Sequence, residues 1–187
     1  MVKNMYIKKQ KYKKSCFPCA LQIALVNVGN LSPDNGDELE DNFNTEMLQK
    51  TGYDLNTHAP NESLVHEIIS SLDLRLDLHL GNGFLVGPTE LSGCEQYYAD
   101  RINNAIAANE NVAFVIGVVE AFGHAYAIFR DDRTRKWCLV DPRMDMPNVI
   151  DRCDNIRAKI KNGGIVFSEG ESVIAVGNLV MMVTREH

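Results

Sequence analysis

The chain has 187 residues, of which 45% are hydrophobic and 24% are charged, and its formal net charge is −6. These values are typical of a globular protein and exclude a disordered, collagen-like or coiled-coil chain. The negative charge argues against a general nucleic-acid binder. The length suits one domain with a substantial core, and five cysteines are too few, and odd in number, for a disulfide scaffold.

The N-terminal segment is basic, because six lysines precede the first acidic residue, Asp34. The apolar run 20–28 resembles the core of a secretory signal, but Gln22 and Asn27 interrupt it and no small-residue cleavage pattern follows. No segment reaches the ~18 apolar residues that a membrane-spanning helix needs. We therefore predict a soluble protein without stable membrane insertion, either cytoplasmic or exported without a classical signal peptide.

The first part of the chain is predicted to be mainly helical. The spacing of apolar residues, together with an Asn61 N-cap and glycines that end two of the segments, predicts four helices. They lie at residues 16–28, 39–51, 61–72 and 94–108. Strict alternation of leucine with polar residues predicts a strand at 74–80.

The second part of the chain is predicted to be mainly strands. Apolar runs, the first of them rich in β-branched residues, predict antiparallel strands at 112–119, 125–129, 137–140, 165–167, 172–175 and 179–183. A turn is predicted at 130–136 and a short helix at 149–160. Helices followed by an antiparallel sheet indicate an α+β fold. We expect a single domain over residues 1–187, with a helical lobe at about 1–110 and a sheet lobe at about 111–187.

His124 and Asp141 stand on either side of the predicted 130–136 turn, and their mean position, 132.5, lies within it, between Asp132 and Arg133. Residues that oppose each other across an antiparallel hairpin point to the same face. We therefore expect the Asp141 carboxylate beside the His124 imidazole, where it can select the tautomer whose second ring nitrogen accepts a proton. The alternative is that the two residues merely end their strands.

Cys16 is a candidate nucleophile for such a base. It begins the first predicted helix, where the helix dipole and unpaired N–H groups favour a thiolate. Gln10, six residues earlier, could donate its side-chain amide to an oxyanion. Alternatively, Cys16 is a small buried apolar residue and Gln10 is a solvated residue in a lysine-rich segment.

These residues together resemble the papain-like cysteine peptidases, in particular the bacteriocin-processing peptidases that remove double-glycine leaders. Besides Gln10, the resemblance rests on Cys-Phe-Pro-Cys-Ala-Leu at 16–21, Gly-His-Ala-Tyr-Ala-Ile at 123–128 and Leu-Val-Asp-Pro at 139–142. It covers about the first 25 residues and then roughly 111–142, and it leaves the insert between them unassigned.

The resemblance implies a papain-like fold in which the active site lies in the cleft between the helical lobe and the sheet. It implies Cys16 as nucleophile, His124 as general base, Asp141 as its orienting group and Gln10 as oxyanion donor. The substrate would be a protein or peptide, and no cofactor or metal is implied. The Josephin peptidases, which act on ubiquitin, share this chain order and approximate size, so an isopeptidase acting on a ubiquitin-like protein is also open.

Cys94 is a second candidate nucleophile. The segment Gly-Cys-Glu-Gln-Tyr at 93–97, together with His124 and Asp141, resembles the transglutaminase core, which also uses Cys, His and Asp in that order. This resemblance implies an acyltransferase or a glutamine deamidase. The two motif elements at Gln10 and Cys16 favour the peptidase interpretation.

Cys16 and Cys19 also form a Cys-x-x-Cys pair, which is typical of redox sites, although a lysine-rich segment precedes it where such sites have an apolar strand. A zinc site would need two further ligands, and no second paired spacing provides them. Phe17 occupies the position at which the resembling peptidases have glycine. A bulky side chain there could block the site, so a non-catalytic, peptide-binding domain is a third interpretation.

Overall fold

The computed structural model describes residues 5–29, 31–76, 84–86, 93–108, 111–118, 124–143, 148–153, 155–161, 164–177 and 179–184. The four α-helices in this part of the chain are α1 (Cys16–Val28), α2 (Glu38–Thr51), α3 (Glu62–Leu76) and α4 (Glu95–Ala107), and a 3-10 turn spans Pro33–Asn35. The strands are β1 (Phe84–Val86), β2 (Val112–Val118), β3 (His124–Arg130), β4 (Trp137–Asp141), β5 (Asn148–Cys153), β6 (Ile156–Lys161), β7 (Gly164–Glu169), β8 (Ser172–Gly177) and β9 (Leu179–Thr184).

The fold is mixed α+β, with the helices in the N-terminal part and nearly all strands in the C-terminal part, as the sequence predicts. The strands form two antiparallel sheets. The large sheet has the order β1-β9-β2-β3-β4-β5, and the small sheet has the order β6-β7-β8.

The helix ends follow from local sequence. Gly29 adopts the left-handed conformation, with φ of 93°, and its N–H donates to the carbonyls of Leu25 and Val26, so that α1 ends where glycine tolerates this geometry. At the start of α3, the Asn61 side-chain oxygen accepts a hydrogen bond from the Leu64 N–H at 2.9 Å, which confirms the predicted N-cap.

The predicted strand at 74–80 is wrong for residues 74–76, which continue α3, and the remainder of that prediction lies outside the described residues. Each residue added to an established helix gains one backbone hydrogen bond for one fixed residue. A short alternating pattern at the end of α3 therefore does not convert the chain into a strand.

The predicted helix at 149–160 is also wrong, because β5 and β6 occupy this segment. Ile156 and Ala158 are buried whereas Arg157 and Lys159 are exposed, which is the period of two of a strand. Pairing of β5 with β4 and of β6 with β7 supplies the backbone hydrogen bonds that a helix would have made locally.

The large sheet separates two hydrophobic cores. The helix-side core combines α1, α2 and α3 with one face of the sheet, which contributes Ala113, Val115, Ala125, Ala127, Phe129, Cys138, Val140, Met181 and Val183. The small-sheet core combines α4 and the small sheet with the opposite face, which contributes Val112, Phe114, Ile116, Ile128, Trp137, Leu139, Val180 and Met182.

Helix α1 is the centre of the helix-side core, and every residue in it except Asn27 is buried. It packs mainly against β3 and β2. Small side chains on both surfaces, such as Ala20 and Ala24 on α1 and Ala125 and Ala127 on β3, permit this approach. The N-terminus of α1 is thereby held near the start of β3.

Candidate active site

Cys16 is the first residue of α1 and is 3% exposed. Its preceding residue, Ser15, does not cap the helix with its side chain: the Ser15 Oγ accepts from the Tyr12 N–H at 3.0 Å, and its hydroxyl donates to Glu40. The helix dipole favours a negatively charged group at this end of α1.

The protonation of Cys16 is set by opposing effects. Burial raises the pKa of the Cys16 thiol to about 12, and the negative charge of Asp141 acts in the same direction. The backbone N–H groups of Ala125, Phe17 and Cys16 itself lower this pKa, because they stabilise the thiolate. Burial dominates, so the resting form is the thiol and a base has to remove its proton before the sulfur can attack.

His124 and Asp141 form a hydrogen-bonded pair, with His124 Nε2 3.0 Å from Asp141 Oδ2. The His124 side chain is 32% exposed and that of Asp141 is 11% exposed. When Nε2–H donates to the carboxylate, Nδ1 carries the lone pair that can accept a proton. The Tyr126 ring stands edge-on to the imidazole, with the two centroids 4.8 Å apart, and restricts its movement.

The predicted contact between His124 and Asp141 is therefore present, but the predicted register is wrong. Ala127 pairs with Val140, which centres the hairpin between Arg133 and Thr134, one residue later than expected. Extending this register sets Asp141 opposite Tyr126. The shift moves Asp141 by two positions along β3, which preserves the face because side chains alternate with period two. His124 and Asp141 then meet as diagonal neighbours.

Cys16 meets β3 directly beside the histidine. The Ala125 N–H that stabilises the Cys16 thiolate belongs to the residue after His124. Ala125 faces α1, whereas His124 shares its face of the strand with Tyr126, so the sulfur approaches the start of the strand rather than the His124 face of the sheet. Burial, then the charges of Asp141 and of a Cys16 thiolate, raise the pKa of Tyr126. The structure thus brings Cys16, His124 and Asp141 to one end of the β3–β4 hairpin.

Gln10 lies at the same end of the hairpin, because its backbone N–H donates to the carbonyl of Pro142, the residue after Asp141, at 3.1 Å. Its side-chain Nε2, however, donates to the carbonyls of Tyr12 and Lys13, each at 3.0 Å. Both amide hydrogens are engaged in this arrangement. A role as oxyanion donor requires the amide to leave at least one of these carbonyls.

A buried acidic residue that sequence analysis missed, Glu40, fixes the segment before Cys16. Glu40 is fully buried on α2, forms an ion pair with Lys8, and accepts hydrogen bonds from the Ser15 hydroxyl and from the Lys11 N–H, the latter at 2.6 Å. Lys8 also pairs with Asp37 at 2.6 Å. Although burial opposes the charged form, hydrogen bonds to Asp37 and Glu40 raise the pKa of Lys8.

This network was recognisable in principle. The acidic residues at the start of α2 are the counter-charges that the N-terminal lysines require, and Lys11 pairs with Asp41 there at 2.8 Å. Because the two groups are about thirty positions apart, only charge complementarity could have suggested the contact. The consequence is that α2 holds the loop carrying Gln10 against the helix that carries Cys16.

The neighbours of Cys16 are also buried. Cys19 is a free thiol whose Sγ lies 3.8 Å from the Lys8 carbonyl, and burial followed by the charge of Glu40 raises its pKa. Phe17 is 7% exposed, and its ring packs against that of Phe43 with centroids 6.2 Å apart. The Phe17 ring therefore lies within the helix-side core rather than at the protein surface.

Cys94 is exposed at the N-terminus of α4, which packs mainly on β6. Within the described part of the chain, no hydrogen bond or ion pair joins Cys94 to His124 or Asp141. The electrostatic contacts at Asp141 involve Cys16 instead.

Among the residues that the structure describes, no three His, Cys, Asp or Glu side chains converge as metal ligands would. None of the described helices combines the length and the hydropathy that crossing a bilayer requires. Comparison of the chain with protein-family models, with curated proteins and with solved structures finds no match. Functional inference for this protein therefore rests on the geometry of the site.

Proposed function

We propose that this protein is a papain-like cysteine peptidase or isopeptidase that hydrolyses a peptide or related amide bond. The observation that carries the proposal is the 3.0 Å contact between His124 Nε2 and Asp141 Oδ2. The residue after His124 on β3, Ala125, directs its N–H at the Cys16 sulfur. A buried thiol, an oriented imidazole and a carboxylate are the groups that nucleophilic attack on a carbonyl requires.

The first step is formation of an acyl-enzyme. His124 Nδ1 takes the thiol proton of Cys16, and the sulfur bonds to the substrate carbonyl carbon, whose π electrons move to the oxygen. Because the resting thiol has a pKa near 12, this transfer accompanies attack rather than preceding it. When the oxyanion collapses, the C–N bond breaks and His124 returns the proton to the leaving amine.

The oxyanion needs donors at the N-terminus of α1. The Cys16 N–H is one, since Cys16 is the first residue of α1, where the helix dipole favours a negative charge. The Gln10 amide is the second, provided that the substrate oxygen replaces the Tyr12 or Lys13 carbonyl as its acceptor.

The second step is hydrolysis of the thioester. His124 Nδ1 removes a proton from water, the resulting hydroxide adds to the acyl carbon, and the C–S bond breaks to release a carboxylic acid and the Cys16 thiolate, which regains the proton from His124. Throughout, Asp141 holds the imidazole in one tautomer and stabilises its protonated form.

The test is a panel of peptide, ubiquitin-like and glutamine substrates, combined with electrophilic probes whose adduct is located by mass spectrometry. We expect the adduct on Cys16, loss of turnover in Cys16→Ala and in His124→Ala, and full activity in the matched control Cys94→Ala. A decrease of about 10²–10³ is expected for Gln10→Ala if its amide serves the oxyanion. Loss of activity in Cys94→Ala with retention in Cys16→Ala would instead support the acyltransferase or deamidase interpretation.

A non-catalytic, peptide-binding domain is the second candidate, favoured by the 3% exposure of Cys16 and by its raised pKa. The two candidates differ in how iodoacetamide reacts with Cys16. If His124 acts as the base, His124→Ala lowers the alkylation rate of Cys16 by about tenfold or more. Equal, slow alkylation of Cys16 in the wild type and in His124→Ala would support the binding domain.

A further inference from the structure

A polar cleft, which we call the hairpin cleft, lies at the opposite end of β4 from Asp141. It has a volume of about 470 Å³ and is lined by residues that include Asn103, Arg135, Trp137, Asn155, Ile156 and Arg157. This volume is in the range of small-molecule sites, roughly 300–1,000 Å³. Trp137 and Asp141 are the first and last residues of β4, so about 13 Å of strand separates the hairpin cleft from the candidate active site.

The backbone at Arg135 is strained. Arg135 is the only non-glycine residue with a positive φ, 63°, in the described part of the chain. It occupies the β3–β4 turn, which is closed by hydrogen bonds from Asp131 N–H to the Lys136 carbonyl and from Arg135 N–H to the Asp131 carbonyl, both at 2.8 Å. Glycine or asparagine suits this conformation better. Strain at such a position points to a functional requirement for the side chain.

Among the described residues that line the hairpin cleft, the two charged ones, Arg135 and Arg157, are both cationic. Arg135 and Arg157 are both exposed, and neither forms an ion pair with a residue that the structure describes. The acidic residue of the turn, Asp131, accepts hydrogen bonds from the Arg133 N–H and the Thr134 hydroxyl, at 3.1 and 3.3 Å. Two guanidinium groups therefore line one cleft in a protein whose net charge is −6.

The remaining lining favours a ligand with an organic part. Trp137 is 5% exposed and Ile156 is 2% exposed, so they contribute an apolar wall at the base of the cleft, and the Asn155 amide can donate to an oxygen. Guanidinium groups bind phosphate and carboxylate oxygens through paired hydrogen bonds. Two such groups balance the charge of a dianion.

We propose that the hairpin cleft binds a phosphate monoester, with the phosphate between Arg135 and Arg157 and its organic group against Trp137. The hairpin cleft lies at the other end of β4 from Asp141, so a ligand bound there does not contact the reacting atoms of the proposed peptidase reaction. The recognised group is a doubly charged phosphate on a small apolar carrier.

Trp137 is the only tryptophan in the chain, so its fluorescence reports binding in the hairpin cleft. Titration of the full chain with phenyl phosphate should give a saturable change, and inorganic phosphate should bind more weakly. Arg135→Gly and Arg157→Gln should each weaken binding of phenyl phosphate by about tenfold or more. Arg133→Gln, which removes the same charge from the same turn outside the cleft lining, should bind as the wild type does, and so should Cys16→Ala.

Arg135→Gly also separates a binding role from a structural one. Because glycine fits the left-handed conformation, the melting temperature of Arg135→Gly should equal that of the wild type or exceed it by up to about 3 °C. The proposal is overturned if phenyl phosphate gives no saturable change, if KCl at the same ionic strength reproduces it, if benzoate binds as tightly, or if Arg135→Gly retains binding. A large fall in the melting temperature of Arg135→Gly would show that Arg135 stabilises the turn, and this result would also overturn the proposal.

Discussion

The two sides of the large sheet are built from different chemistry. Of the seven buried polar residues that the structure describes, four lie on or next to α1 and α2: Ser15, Gln22, Glu40 and Glu46. Asp131 and Asp141 lie at the two ends of the β3–β4 hairpin, and Ser168 lies in the small sheet. Charged and hydrogen-bonding groups are thus buried mostly on the helix side, whereas the small sheet itself buries one polar side chain, Ser168.

This difference shows how the position of a loop relative to the rest of the protein is fixed. Apolar packing is non-directional, so it holds two sheets together without fixing one loop in one place. A buried carboxylate with several donors is directional, and losing any donor is costly. The helix side of the sheet is also where the loop carrying Gln10 and the start of α1 must be held relative to His124.

The largest effect is expected at the carboxylate of the His124 pair. If the proposed reaction is correct, Asp141→Asn should lower kcat/KM by about 10³–10⁴, because an amide can favour the wrong imidazole tautomer. The matched control is Asp131→Asn at the other end of the same hairpin, which should leave kcat/KM within about twofold. Activity that survives Asp141→Asn would remove Asp141 from the reaction.

The next effect tests the directional contacts on the helix side. Glu40→Ala should lower the free energy of unfolding by about 3–5 kcal/mol, because it removes the buried one of the two carboxylates that pair with Lys8 and the acceptor of the Ser15 hydroxyl and the Lys11 N–H. Urea denaturation measures the loss. Glu38→Ala, an exposed acidic residue in the same helical turn, should change this free energy by less than about 0.5 kcal/mol. Similar losses for both variants would contradict a special role for Glu40.

The small-sheet side should respond to volume rather than to charge. A Cβ at Gly177 would lie 2.5 Å from Ile116 Cγ1 and 2.6 Å from the Gly117 carbonyl oxygen. Gly177→Ala should therefore cost about 1–3 kcal/mol of unfolding free energy. Adding Ile116→Val should not restore stability fully, because the backbone oxygen still obstructs the methyl group. Full recovery would show that only the side chain matters.

The smallest expected effect concerns alkaline pH. Burial raises the pKa of the Cys16 thiol to about 12, so the folded state keeps a proton that the unfolded state loses near its ordinary pKa of about 9. Stability should therefore decrease as the pH rises from about 9 towards 12. Between pH 7 and 10, Cys16→Ala should lose about 1 kcal/mol less unfolding free energy than the wild type does. Identical losses would mean that Cys16 is less buried than described.

Local sequence was sufficient for most elements. Gly29 and Asn61 correctly predicted a helix end and a helix start, because caps act within a few residues. The apolar runs at 112–119 and 125–129 correctly predicted β2 and β3. The segment 149–160 was mispredicted because its apolar spacing fits a helix, while its pairing partners in β4 and β7 are separate segments of the chain.

The candidate site was predicted only in part, because some of its contacts join neighbouring segments and others join distant ones. Proximity of His124 to Asp141 followed from hairpin symmetry, which tolerates a shift of two positions, but the exact register did not. The role of Glu40 was not predictable from periodicity, because its partners Lys8 and Ser15 lie on another segment.

The sequence by itself determined where α1 begins and ends, that His124 and Asp141 flank one turn, and that the N-terminal segment is basic. Each of these depends on interactions over a few residues or on charge balance. Only the tertiary structure decided that the start of α1 meets the start of β3, more than a hundred residues away. Only the tertiary structure decided that the Cys16 thiol is buried and protonated, because burial depends on every element that packs around the sulfur.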